Sequence, residues 1–138
     1  MRMVKYFIVV ALLLLLSGCV SASNKQLKLA QQSMAQGNYT QAFDQAAQSL
    51  QSDIANHKAI ALFPGIVQNA YSQKQGEIQQ HQIRQHWDQA AYGYDRIVSM
   101  NYTVQRIQAQ LNVYGQTVNT SASKRQAMND VLALKGRA

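Results

Sequence analysis

The chain reads as an all-α protein, a short stack of antiparallel helical hairpins with five or six helices. Three observations predict this. One proline and seven glycines interrupt 138 residues, far fewer turn signals than a chain of many short strands needs. Alanine and glutamine dominate beyond residue 25, and helices favour or tolerate both. Apolar residues recur at three- and four-residue spacing, while Val, Ile and Thr are scattered singly, so the pattern is that of helix faces.

The elements follow in order. Residues 24–36 place Leu27, Ala30 and Met34 on one stripe, and Gly37-Asn38 ends the helix as a C-terminal glycine does. Thr40 is the expected cap of the next helix, with Tyr39 just before it as a hydrophobic staple. Ala42, Phe43, Ala46, Ala47 and Leu50 form its buried side; Gln41, Asp44, Gln45, Gln48 and Gln51 form its wet side. Residues 53–62, capped by Ser52 or Asp53, are helical too, either continuous with a long helix from about Phe63 to Arg84 or kinked from it at Pro64. Pro64 suits the first turn of that helix, where no N–H is needed. Ile66, Val67, Ala70, Tyr71, Ile78 and Ile83 provide its apolar side, and its polar section between Gln73 and Gln82 is expected to project beyond the core. After Met100, Asn101 is the expected cap of another helix carrying Val104, Ile107, Leu111, Tyr114 and Val118. A last helix, about Ser123 to Leu134, buries Ala127, Met128, Val131 and Leu132.

Two blocks repeat. Gly37-Asn38-Tyr39-Thr40-Gln41-Ala42-Phe43 through Leu50 aligns with Gln85-His86-Trp87-Asp88-Gln89-Ala90-Ala91 through Val98, at an offset of 48 residues. Both resemble the helix-turn-helix centre of the tetratricopeptide repeat, with a small alanine at Ala42 and Ala90 where the helices approach. The usual period is about 34 residues. The extra length amounts to about four helical turns, hence the elongated helix. The aromatic position of the first block falls on Ala46, and the proline expected after the second helix of each repeat is absent. The resemblance implies stacked helical hairpins with a binding groove, and covers residues 26–52 and 70–100.

The N-terminus carries a different signal. Arg2 and Lys5 precede the apolar run Phe7 to Leu16, which closes on Leu16-Ser17-Gly18-Cys19. A charged start, a short apolar core and a small-residue cleavage site make a secretory signal. The run makes a helix of about 15 Å against a hydrocarbon core of about 30 Å, so a permanent span is not expected from it. Cys19 is the lone cysteine, which excludes an internal disulfide. The segment resembles the signal sequence of bacterial lipoproteins, and all four lipobox positions match. That resemblance implies cleavage before Cys19, an S-diacylglycerol cysteine and an acylated new amine. Residue 20 is Val, where Asp would retain an enteric lipoprotein at the inner membrane, so the resemblance implies the periplasmic face of the outer membrane. The expected divisions are a signal peptide at 1–18, a lipidated cysteine and polar tether at 19–25, and a helical domain at 26–138.

Charge and chemistry exclude several classes. The net charge of +7 falls to +5 once Arg2 and Lys5 leave with the leader. The basic residues are dispersed, without the runs of a nucleic-acid-binding arm. His57, His81 and His86 lack the three- or four-residue spacing that puts metal ligands on one helix face. The six acids form no pair whose environments would drive their pKa values apart. Neither a nucleophile elbow nor a glycine-rich phosphate loop is present. No catalysis, cofactor, metal or small-molecule substrate is expected. Trp87, Tyr92, Tyr94 and Tyr102 crowd the second half, and these residue types recur at binding hot spots. The expected role is an interaction or assembly module of an envelope complex. The alternatives are a cell-wall glycan-binding lipoprotein, suggested by the tyrosines and mild positive charge, and an immunity or exclusion lipoprotein.

Overall fold

A computed structural model describes residues 2–112. Within them the backbone forms four helices and no strand: α1 (Arg2–Ala35), α2 (Tyr39–Ser52), α3 (His57–Ile83) and α4 (Trp87–Leu111). Each helix packs antiparallel on the next, and α2 also touches α4. The helix expected at 123–134 lies outside the described residues, as do Tyr114 and Val118.

The helix count is lower than five or six for two further reasons. Residues on either side of Asn101 form one helix, because Asn101 does not cap. It is buried inside α4, where the Tyr71 hydroxyl donates to its Oδ1. The segments around Pro64 are likewise one helix, the continuous one of the two expected arrangements. The cap is Asn56 rather than Ser52 or Asp53: its Oδ1 accepts the Ala59 N–H at 3.1 Å. Pro64 therefore stands inside α3 and not in its first turn. Having no N–H, it leaves the Ile60 carbonyl without its usual helical donor.

Both tight turns use the same hydrogen bonds. After α1, Gly37 N–H donates to Met34 O and Asn38 N–H to Ser33 O. After α3, Gln85 N–H donates to Gln82 O and His86 N–H to His81 O. Each is a Schellman closure, whose penultimate residue must be left-handed. Gly37 meets that demand at φ 76°, and Gln85 meets it at φ 60° with a side chain attached. The two turns are 48 residues apart, the offset of the aligned blocks.

The first turn is sealed from a distance. Helix α2 starts at Tyr39, one residue before the expected cap, and Asn38 makes no side-chain capping bond. Instead Gln73 of α3 reaches across. Its Oε1 accepts the Thr40 N–H at 3.1 Å and its Nε2 donates to the Gly37 carbonyl at 2.9 Å. One amide thus satisfies an orphan donor at one helix start and an orphan acceptor at another helix end.

The core is small-residue dense between α1 and α2 and bulkier between α3 and α4. Ala30, Ala42 and Ala46 are wholly buried, and Phe43 stacks on Phe63 with ring centroids 5.9 Å apart. Between α3 and α4, Gly93 sits against Ile78, whose Cγ1 would lie 2.5 Å from an added Cβ. Ile78 is buried by this contact, so the stretch expected to project beyond the core is partnered by the start of α4. Ile83, expected on the apolar side, is exposed.

Candidate functional site

Helix α1 is two structures in one rod. Its first half exposes every described side chain from Met3 to Leu14, and Phe7 is 78 % exposed. Its second half buries Ser23, Leu27, Ala30 and Ser33, a stripe at three- and four-residue spacing. Cys19 lies between these halves, exposed on the continuing helix. Helix α1 as a whole is long and apolar enough to cross a membrane, and none of its most apolar stretch is buried.

The expected polar tether at 19–25 is helical, and packing begins within it at Ser23. The Ser23 hydroxyl donates to the Ser49 carbonyl at 2.9 Å, and the Ser49 hydroxyl returns the bond to the Ser23 carbonyl at 2.8 Å. Asn56 Nδ2 adds a third bond, to Ser23 Oγ at 2.9 Å. Small side chains let the two backbones close in, and each buried hydroxyl finds a partner. Only Val20, Ser21 and Ala22 separate Cys19 from this fixed point.

The four aromatic residues singled out as partner contacts do not share one surface. Tyr94 is 9 % exposed and belongs to the core. Trp87, Tyr92 and Tyr102 are exposed, at 41 %, 77 % and 57 %. Trp87 and Tyr92 are five residues apart on α4, which turns them roughly 140° from each other. Trp87 instead lies near the azimuth of Tyr94, at the rim of the core.

Tyr92 lines a cleft. The cleft, of about 440 Å³, opens at the α3–α4 turn between Lys74, Glu77, His81, Asp88 and Tyr92. Lys74 forms an ion pair with Glu77 one turn later. The His81 ring lies 6.1 Å from that of His86, and its buried Nδ1 has no hydrogen-bond partner. Among the described residues, no cluster of three His, Cys, Asp or Glu side chains could hold a metal ion.

The titratable group that burial moves most clearly is Tyr71. Its phenol is pushed well above the usual tyrosine range, so it remains a donor to Asn101 at any physiological pH. This is structural chemistry between α3 and α4. The spacing puts Tyr71 on the apolar side, but Asn101 carries a cap signal, because an asparagine after a helical run reads the same whether it ends a helix or sits buried.

No family model, no curated protein and no solved structure matches the chain.

Proposed function

We propose that this chain is a bacterial lipoprotein, cut before Cys19 and acylated there, which holds a non-catalytic helical body at the periplasmic face of the outer membrane. The body acts as an interaction or assembly module for an envelope protein complex. The observation that carries this reading is the division of α1. An exposed apolar half ends on Leu16-Ser17-Gly18-Cys19, and the packed body starts four residues later at Ser23. Apolar surface of that extent on a soluble monomer marks a membrane or partner contact. Two or more acyl chains give stable anchoring where one gives only marginal binding.

The paired turns support the tetratricopeptide-like reading of the body. Two hairpins with the same closure, 48 residues apart, are what a repeated helix-turn-helix unit would produce. Two hairpins cannot build a full superhelical groove, so the module is proposed to hold a single client. The exposed Trp87, Tyr92 and Tyr102 are the proposed contact residues.

Replacing Cys19 with Ser tests the anchor. In cells fed a palmitate analogue, the native chain is expected to take the label and sediment with outer membranes. The Cys19→Ser chain is expected to take no label and to accumulate with its leader attached. A labelled Cys19→Ser chain, or an unlabelled native one, contradicts the proposal. Crosslinking from position 92 or 102 in intact envelopes tests the module. A discrete adduct lost in Trp87→Ala supports it, and co-sedimentation of the chain with purified sacculi in its place favours the glycan-binding alternative.

A second reading has one observation in its favour. Helix α1 runs unbroken from Arg2 to Ala35, as an uncleaved span would. Retention of residues 1–18 in the membrane-bound protein distinguishes it.

A further inference from the structure

We infer that the end of the bundle next to Cys19 is a basic docking face for anionic phospholipid headgroups, so that the body stands on the bilayer in one orientation. The inference rests on reading α1 as the membrane attachment, and it holds whether that attachment is acyl chains on Cys19 or an uncleaved span.

The first support is reach. Ser23 is fixed to Ser49 and Asn56 by its three hydrogen bonds. The three residues from Val20 to Ala22 extend at most about 10 Å. The body therefore cannot tumble away from the surface. The same bonds put the end of α2 and the start of α3 beside Ser23. The Tyr71–Asn101 bond and the Ile78–Gly93 contact run α4 antiparallel to α3, which brings the end of α4 to that side.

The second support is the distribution of charge. Among the described residues, the half of the body nearest Cys19 carries Lys25, Lys28, Lys58 and Arg106, all exposed, against Asp53 alone. Neither of the two ion pairs among the described residues involves these cations. In the far half, Lys74 pairs with Glu77 and Arg96 with Asp44, leaving Arg84 against Asp88 and Asp95. Among the described residues beyond Cys19, the charge thus separates into a positive end and a slightly negative one. The first of these cations, Lys25, lies six helical residues from Cys19, about 9 Å along the axis and so about one screening length from the headgroups at physiological salt. Juxtamembrane lysines and arginines are attracted there by anionic lipid. The orientation points the α3–α4 turn, with Trp87 and Tyr92, away from the membrane.

The test uses the full chain in vesicles whose lipids carry a headgroup nitroxide quencher. A fluorophore is attached through Gln51→Cys at the near end or through Gln79→Cys at the far end. The mass of the purified chain is read first. A cleaved, acylated chain takes label only at the introduced cysteine. An uncleaved chain is labelled in a Cys19→Ser background, where α1 remains the anchor. In vesicles containing phosphatidylglycerol, quenching at position 51 is expected to exceed that at 79 by about twofold or more. The excess is expected to shrink in pure phosphatidylcholine, in about 1 M salt, where screening falls to about 3 Å, and in Lys25→Glu with Lys58→Glu. Equal quenching at the two ends, or a difference indifferent to lipid charge, salt and charge reversal, overturns the inference while leaving the anchor intact. A chain that carries neither acyl groups nor leader and stays in solution overturns both.

Discussion

The two halves of α1 share one backbone and obey opposite rules. From Met3 to Leu14 almost every residue is apolar and none of the described side chains is buried. From Ser23 to Met34 the helix is mostly polar, yet Leu27 and Ala30 are buried and Ser23 and Ser33 are bonded across to α2. Hydrophobicity alone therefore does not tell which part of this helix belongs to the fold. Period does. A helix that is apolar all round has no preferred face to turn toward a protein core and suits a lipid or translocation environment, whereas a narrow stripe packs.

This contrast sets an order of expected effects. The largest belongs to a charge placed in either half. Ala30→Asp puts an unpaired carboxylate where exposure is zero and is expected to cost about 3–5 kcal/mol, enough to unfold a body of this size. Leu13→Asp is expected to leave the melting temperature of the purified chain unchanged and to abolish membrane delivery. Circular-dichroism melts and cell fractionation read the two outcomes. If Leu13→Asp destabilised the fold as much as Ala30→Asp, the apolar half would be part of the core and the contrast would fail.

Close approach comes next. Gly93→Ala drives a methyl against Ile78 at 2.5 Å. Overpacking costs about 1–3 kcal/mol, and the better helix propensity of alanine offsets about 1 of it. A net loss of up to about 2 kcal/mol is expected in denaturant melts, and a smaller loss when Ile78→Ala is already present. Additive losses would contradict the contact.

The smallest effects separate the two turns. Gly37→Ala is expected to lose about 1 kcal/mol, because a Cβ disfavours the left-handed backbone. Gln85→Gly is expected to gain about 1 kcal/mol for the same reason. Opposite signs at equivalent positions would show that the closures are the same device built from different residues. Equal signs would show that they are not.

Much of the bundle was legible in the sequence. The stripe Ala42, Phe43, Ala46, Ala47, Leu50 is buried as its spacing requires, and Gly37 ends α1 at the expected place. Ile66, Val67, Ala70 and Tyr71 follow the same rule on α3. What stayed hidden depends on partners far away in the chain. Ser23 looked like tether until Ser49 and Asn56 supplied its bonds. Thr40 carried a capping signal, but Gln73 does the capping. Pro64 suits a helix start near Phe63, and the Asn56 cap sets the start at His57, six residues earlier. For the aromatic set, composition collected Trp87, Tyr92, Tyr94 and Tyr102 without regard to azimuth, and the helix turns them apart.

The most direct measurement is the intact mass of the native protein extracted from membranes. The proposal predicts a chain of residues 19–138 carrying one diacylglyceryl group and one further acyl group. A full-length chain with a free Cys19 thiol, or a cleaved chain without lipid, contradicts it.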